Sequence, residues 1–256
     1  MRQIILAINA LLKFKAYTLI NVLGLACSLA CVLTVARYIH QENTVNQCFP
    51  EYKRICLIKT STSSGENFLG GYRSGLEKNP DVEQFTVIYQ ISDMPALFGE
   101  QEIAANAFSV DSTFFKIFPY RVIAGSGRIV RPRDVVITRS FWKKKLGGKN
   151  AIGATFKNTK GNKFTIIGVV DDPDTKTSWM PDIFMSDELD EFLFFDPIYA
   201  MLMAPDTDIA LLNKKYSKEH PRSKWSTYET VRYQYLPLKD LYYDKDHGKE
   251  NKNYQY

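Results

Sequence analysis

AYTLINVLGLACSLACVLTVA, residues 16–36, runs for 21 residues without a charge. At 1.5 Å of rise per residue such a helix is about 30 Å long, the thickness of a bilayer's hydrocarbon core. Tyr17 and Tyr38 bracket it as interfacial aromatics, and Arg37 can snorkel to a headgroup. Lys13 and Lys15 precede the run, whereas His40, Gln41 and Glu42 follow it. The positive-inside rule therefore predicts a cytoplasmic N-terminus, a helix over residues 16–39 in the inner (cytoplasmic) membrane, and a periplasmic remainder. A cleaved signal peptide needs an apolar region of about 7–15 residues and a small-x-small exit, and Thr34-Val35-Ala36-Arg37-Tyr38 does not provide one. A lipoprotein signal would place Leu three residues before its cysteine; Gly24 precedes Cys27 and Ser28 precedes Cys31. The run reads as an uncleaved anchor.

Upstream, MRQIILAINALLKFK (residues 1–15) places Arg2, Asn9 and Lys13 on one helical face and Ile4, Ile8 and Leu11 on another. Such a segment can lie along the cytoplasmic headgroups, or remain a loose tail. Within the span, Asn21, Gly24, Ser28 and Cys31 form a helical stripe, with Cys27 beside it. Small residues let helix backbones approach, and an intramembrane Asn seeks a partner. The stripe is the candidate helix–helix packing surface; ordinary anchor composition is the alternative reading.

Charge divides the chain in the same way. The formal net charge is +5, and residues 1–39 carry +4 of it through Arg2, Lys13, Lys15 and Arg37 with no acid. The rest has 29 basic residues against 28 acidic ones. A nucleic-acid surface needs a local basic patch. Lys143-Lys144-Lys145 reads instead as a solvated helix face, so no nucleic-acid partner is expected.

Downstream, residues 40–243 read as one α+β domain and residues 244–256 as a polar tail or linker. Strands are expected at 54–60, 82–92, 102–110, 134–138, 154–158, 163–170 and 230–236. Helices are expected at 68–78, from an Asp111 cap to Ile117, at 139–146 and within 206–219. Residues 61–66 read as a turn. Gly147-Gly148 reads as a helix stop, and Lys160-Gly161-Asn162 as a hairpin turn.

No phosphate loop, GxGxxG, GxSxG or HExxH is present. His40, His220 and His247 are widely separated and share no metal-ligand spacing. Asp171-Asp172-Pro173-Asp174 lacks the glycine and distal glutamate of a calcium loop and reads as a strand-ending turn. Cys48 and Cys56 lie where a disulfide is permitted, either paired or free. No catalytic, cofactor-binding or metal residue is nominated, and no cofactor or enzyme activity is expected.

Several stretches in order carry a resemblance. They are INVLGLACSLAC (20–31), the helix end at Arg37-Tyr38-Ile39 and Glu42, DSTFFKIFPYRVIAG (111–125), DVVITRSFWKKKLGG (134–148), AIGATF (151–156), FTIIGVVDDPDTKTSWMPDIFMS (164–186) and YLPLKDLYY (235–243). Together they resemble the N-terminal half of an ABC transporter permease of the MacB/FtsX type, including its MacB-like periplasmic core domain. The resemblance implies a permease with four membrane helices and the large external domain between the first and second. It implies dimerisation and a separate or fused ABC ATPase as partner. It also implies mechanotransmission, in which cytoplasmic ATP-driven closure moves the external domain for efflux, lipoprotein release or envelope signalling. Tyr256 falls where such a permease continues into its second membrane helix, so a truncated or split half is expected, partnered by a second copy or the other permease half. A stand-alone membrane-tethered adaptor without transport activity is the rival expectation. Phe114, Phe115, Phe118, Gly153, Gly168 and Pro173 read as core and turn positions within the shared stretches.

Overall fold

The uncharged run forms the middle of one long helix, α1 (Lys15–Asn43), in the computed structural model. The model describes residues 13–63, 67–70, 79–148, 150–186, 197–216, 220–221 and 230–244. The chain divides into two units, residues 1–44 and 45–256. Helix α1 has 29 residues, none of them buried, so its apolar side chains are left uncovered. It is long and apolar enough to cross a membrane. It ends at Thr44, whose N–H and Oγ1 both donate to the His40 carbonyl, at 3.1 and 2.9 Å. Residues 1–12 of the expected headgroup segment lie outside the described residues.

The second unit is built on a twelve-stranded mixed sheet. Its strands are β1 (Ile55–Thr62), β2 (Asn67–Leu69), β3 (Val82–Phe98), β4 (Gln101–Val110), β5 (Val122–Gly125), β6 (Asp134–Thr138), β7 (Thr155–Lys157), β8 (Lys163–Val170), β9 (Ile183–Ser186), β10 (Ile198–Met203), β11 (His220–Pro221) and β12 (Thr230–Pro237). The main order is β11-β12-β1-β10-β3-β4-β9-β6-β8-β5, with β2 beside β1, and β7 beside β3 and β8. Among the described residues, only β4 with β9 and β6 with β8 pair in parallel; the other pairs are antiparallel. The described residues also form four short helices, α2 (Phe114–Ile117), α3 (Arg139–Lys145), α4 (Ile209–Lys215) and α5 (Leu238–Leu241). The architecture is α+β, as the sequence predicts.

Burial explains why several strands read as unbroken apolar runs. Along β10, Ile198, Ala200 and Leu202 enter one core, while Tyr199, Met201 and Met203 enter another on the opposite face. Along β1, Ile55 and Leu57 join the first core and Cys56 and Ile58 the second. A strand covered on both faces loses its polar alternation. The first core is aromatic: Phe49, Phe114 and Trp179 surround Phe118 with ring centroids 5.0, 5.1 and 5.6 Å away. A third core gathers Val135, Ile137, Phe141, Phe156, Phe164 and Ile166 around β6, α3 and β8.

Two local expectations are corrected. Phe68 and Leu69, read as the start of a helix, lie in β2 and pair with Thr60 and Lys59; residues 71–78 of that reading lie outside the described ones. Ser61 and Thr62, read as turn, extend β1, because Arg232 and Val231 pair with them. Strands β5, β9 and β10 and helix α5 were not expected.

Candidate functional site

Asn21, Gly24, Ser28 and Cys31 fall on one face of α1, at helical spacings of three and four. All four are exposed. Ser28 Oγ donates to the Gly24 carbonyl at 2.8 Å, so its hydroxyl is satisfied within the helix. A Cβ added at Gly24 would meet no atom outside its own helix within 4 Å. The stripe is open to the approach of another backbone. Cys27 and Cys31 are free thiols.

The carboxylates of the external unit serve its turns. Asp111 Oδ1 accepts from the N–H groups of Thr113 and Phe114, at 2.9 and 3.1 Å, which fixes the turn leading into α2, whose N-cap residue is Thr113. The same carboxylate accepts from Thr86 Oγ1 and Val87 N on β3, at 2.8 and 3.1 Å. Asp171, just past β8, pairs with both Arg121 and Arg139. Asp172 accepts from the N–H and hydroxyl of Ser140 at the start of α3, at 3.3 and 3.0 Å. The Asp171–Asp174 run is thus a strand-ending turn that docks α3. Among the described residues, no three His, Cys, Asp or Glu side chains cluster as metal ligands. Cys48 and Cys56 are free, and burial pushes both thiols up, that of Cys56 to about 12.

A dense polar network lies at the beginning of the second unit, around Asn46. Asn46 is buried and has a φ of 64°. Its N–H donates to the Lys176 carbonyl at 2.8 Å. Its Nδ2 donates to Ser178 Oγ at 2.8 Å and to the Leu238 carbonyl at 2.9 Å. Its Oδ1 accepts from Ser178 N at 2.7 Å and from Thr177 Oγ1 at 3.1 Å. Lys176 lies 4.2 Å above the Tyr242 ring and donates to its hydroxyl. Lys59 on β1 is bonded to both carboxylate oxygens of Asp244, at 2.9 and 2.7 Å. The first residues of the unit, its 176–178 loop and its last described segment are joined at one place. No motif could have flagged Asn46, because its partners lie up to 192 residues away.

This arrangement of one apolar helix followed by a two-faced mixed sheet matches a known family over most of its length. Residues 18–215 match the MacB-like periplasmic core domain family, beginning inside α1 and continuing through α4. The chain belongs to this family. Among solved structures, a domain of a putative permease protein from Porphyromonas gingivalis superposes with a TM-score of 0.56 at 17% identity, covering 74% of this chain and 92% of that one. The periplasmic region of MacB from Actinobacillus actinomycetemcomitans superposes with a TM-score of 0.51 at 15% identity, covering 67% and 83%. Comparison with curated proteins finds no sequence match. At these identities the structures establish the fold of the MacB-like domain. Its chemistry has to be argued from its own residues.

Proposed function

We propose that this MacB-like chain is a subunit or part of an ABC transporter permease, and that its external domain is a binding and force-transmitting module. The observation that carries this reading is that one family match begins within the apolar helix and runs unbroken into the sheet domain. The Lys13/Lys15 bias supports a cytoplasmic N-terminus, an inner-membrane helix and a periplasmic domain. A separately encoded ABC ATPase, the partner this family reading implies, supplies the energy in this scheme. The Asn21, Gly24, Ser28 and Cys31 stripe is the proposed contact with a second copy or with the spans of a partner permease half. Movement of that helix then reaches the domain directly, since Val45 follows its cap in the chain. The external side chains act as structure in this scheme, without catalysis.

The test is affinity purification of the full chain from its own membranes, followed by an ATPase assay. Co-purification of an ATP-hydrolysing subunit, with no hydrolysis by the chain alone, supports the permease reading. A chain that comes out of membranes with no ATPase partner supports a tethered periplasmic adaptor instead. Hydrolysis by the pure chain would overturn both.

A further inference from the structure

Asn46 sits two residues beyond the cap of α1, and its side chain uses every hydrogen-bonding capacity it has. A carboxamide offers two N–H donors and two acceptor positions. Here the donors go to Ser178 Oγ and the Leu238 carbonyl, and the acceptor positions are filled by Ser178 N and Thr177 Oγ1. Its φ of 64° lies in the left-handed region, which Asn tolerates far better than most side chains. Glycine would keep that backbone and lose all four bonds; aspartate would keep the acceptors and lose the donors. Conformation and bonding together therefore require asparagine.

The bonds converge on three separate parts of the chain. One is the start of the domain itself. The second is the 176–178 loop, which continues into the aromatic core: Thr177 Oγ1 accepts from Trp179 N at 3.3 Å, and the Trp179 ring lies 5.6 Å from Phe118 and 5.9 Å from Phe108. The third is the segment from Leu238, which the Lys176–Tyr242 contact holds to the second. We propose that Asn46 is the clasp that makes these three parts one rigid piece, so that displacement of the membrane helix reaches the 176–178 loop and the 238–244 segment together. The proposal rests on the force-transmission reading for its purpose.

Asn46→Asp and Asn46→Gly separate the bonds. With a carboxylate at position 46, the Ser178 hydroxyl can turn and donate, and Ser178 N and Thr177 keep their acceptor. The Leu238 carbonyl loses its donor and faces a negative charge. Backbone hydrogen exchange of the full chain in nanodiscs, followed by mass spectrometry, reads each part. Asn46→Asp is expected to speed exchange at least tenfold in residues 238–244 and to leave residues 176–179 protected. Asn46→Gly is expected to speed both, while β6, β8 and β9 stay as in the parent. Unchanged exchange in residues 238–244 of Asn46→Asp overturns the clasp, as does equal loss in both segments of that variant. Should Asn46→Gly unfold, Asn46→Asp alone decides. Exchange is read without nucleotide or ATPase, so its failure overturns the clasp and leaves the permease reading intact. Failure of the ATPase co-purification does the reverse.

Discussion

Gly168 on β8 lies under the backbone of Ser126, and a Cβ there would come within 1.7 Å of the Ser126 carbonyl oxygen. Ser126 N is in turn bonded to the Ile167 carbonyl at 2.8 Å, so the crossing chain cannot retreat without breaking that bond. Gly168→Ala is expected to destabilise the domain by about 3 kcal/mol, at the upper end of overpacking effects. Urea unfolding would show this as a lower midpoint at unchanged slope. Gly127→Ala meets only the Val122 side chain, which is exposed and able to shift, and should cost much less. A second residue-scale consequence concerns Cys56. It is fully buried, and desolvation, with a smaller contribution from the Asp240 charge, raises its thiol from 9.0 to about 12. A group with a raised folded pKa contributes its stability in full below the unfolded value and loses it as pH climbs towards the folded one. Stability should therefore fall between about pH 9 and pH 12. Tyr120 and Tyr235 are shifted in the same direction, chiefly by burial, and add to that fall. Cys56→Ala should flatten part of the alkaline limb in melts taken at stepped pH. A thiol reagent should leave Cys56 unmodified until the domain unfolds.

Elements whose signals are local were legible, and elements defined by distant partners were not. Strand β6 and helix α3 lie where DVVITRSFWKKKLGG places them, because a β-branched run, a helix-forming run and two glycines with φ of 66° and 68° follow in order. Helix α2 follows from Asp111 in the same way. Asp111→Ala removes two bonds at the start of α2 and two to β3, and should cost about 2–3 kcal/mol in thermal or urea unfolding. Strand β10 was missed because IYAMLM feeds two cores on alternate faces and shows no polar period. Strand β2 was misread because only its pairing with β1 makes it a strand. Asn46 was invisible for the same reason, and the Asn21/Gly24 stripe was visible because helical spacing alone defines it. That stripe belongs to a helix with no buried residue. Gly24→Leu should still insert, since Leu is at least as favourable in lipid as Gly. If another helix packs on the stripe, the substitution should weaken association by on the order of 1–2 kcal/mol. Cross-linking through Cys27 and Cys31 in membranes measures it, and unchanged cross-linked species would mean the stripe is ordinary anchor composition.

At the scale of the whole molecule, the near-neutral charge beyond residue 39 and the separate cores of residues 45–256 mark an external body with its own hydrophobic interior. We expect a fragment of residues 45–244 to be soluble and to unfold cooperatively without detergent. Where such a fragment stops matters, because Asp244 ties the segment after α5 back to β1. Its carboxylate holds Lys59 of β1 at 2.7 Å, and both side chains are only 12% exposed. Ending the fragment at residue 243 takes the Asp244 side-chain carboxylate away from the mostly covered Lys59 ammonium. Losing a covered pair costs more than losing a surface pair, and partial exposure moderates the penalty to about 1 kcal/mol. Two fragments differing only in residue 244 isolate this effect in parallel urea titrations. The longer one should have the higher midpoint. Equal midpoints for the two fragments would show that Asp244 contributes nothing to the fold, and that the domain closes before the chain leaves α5.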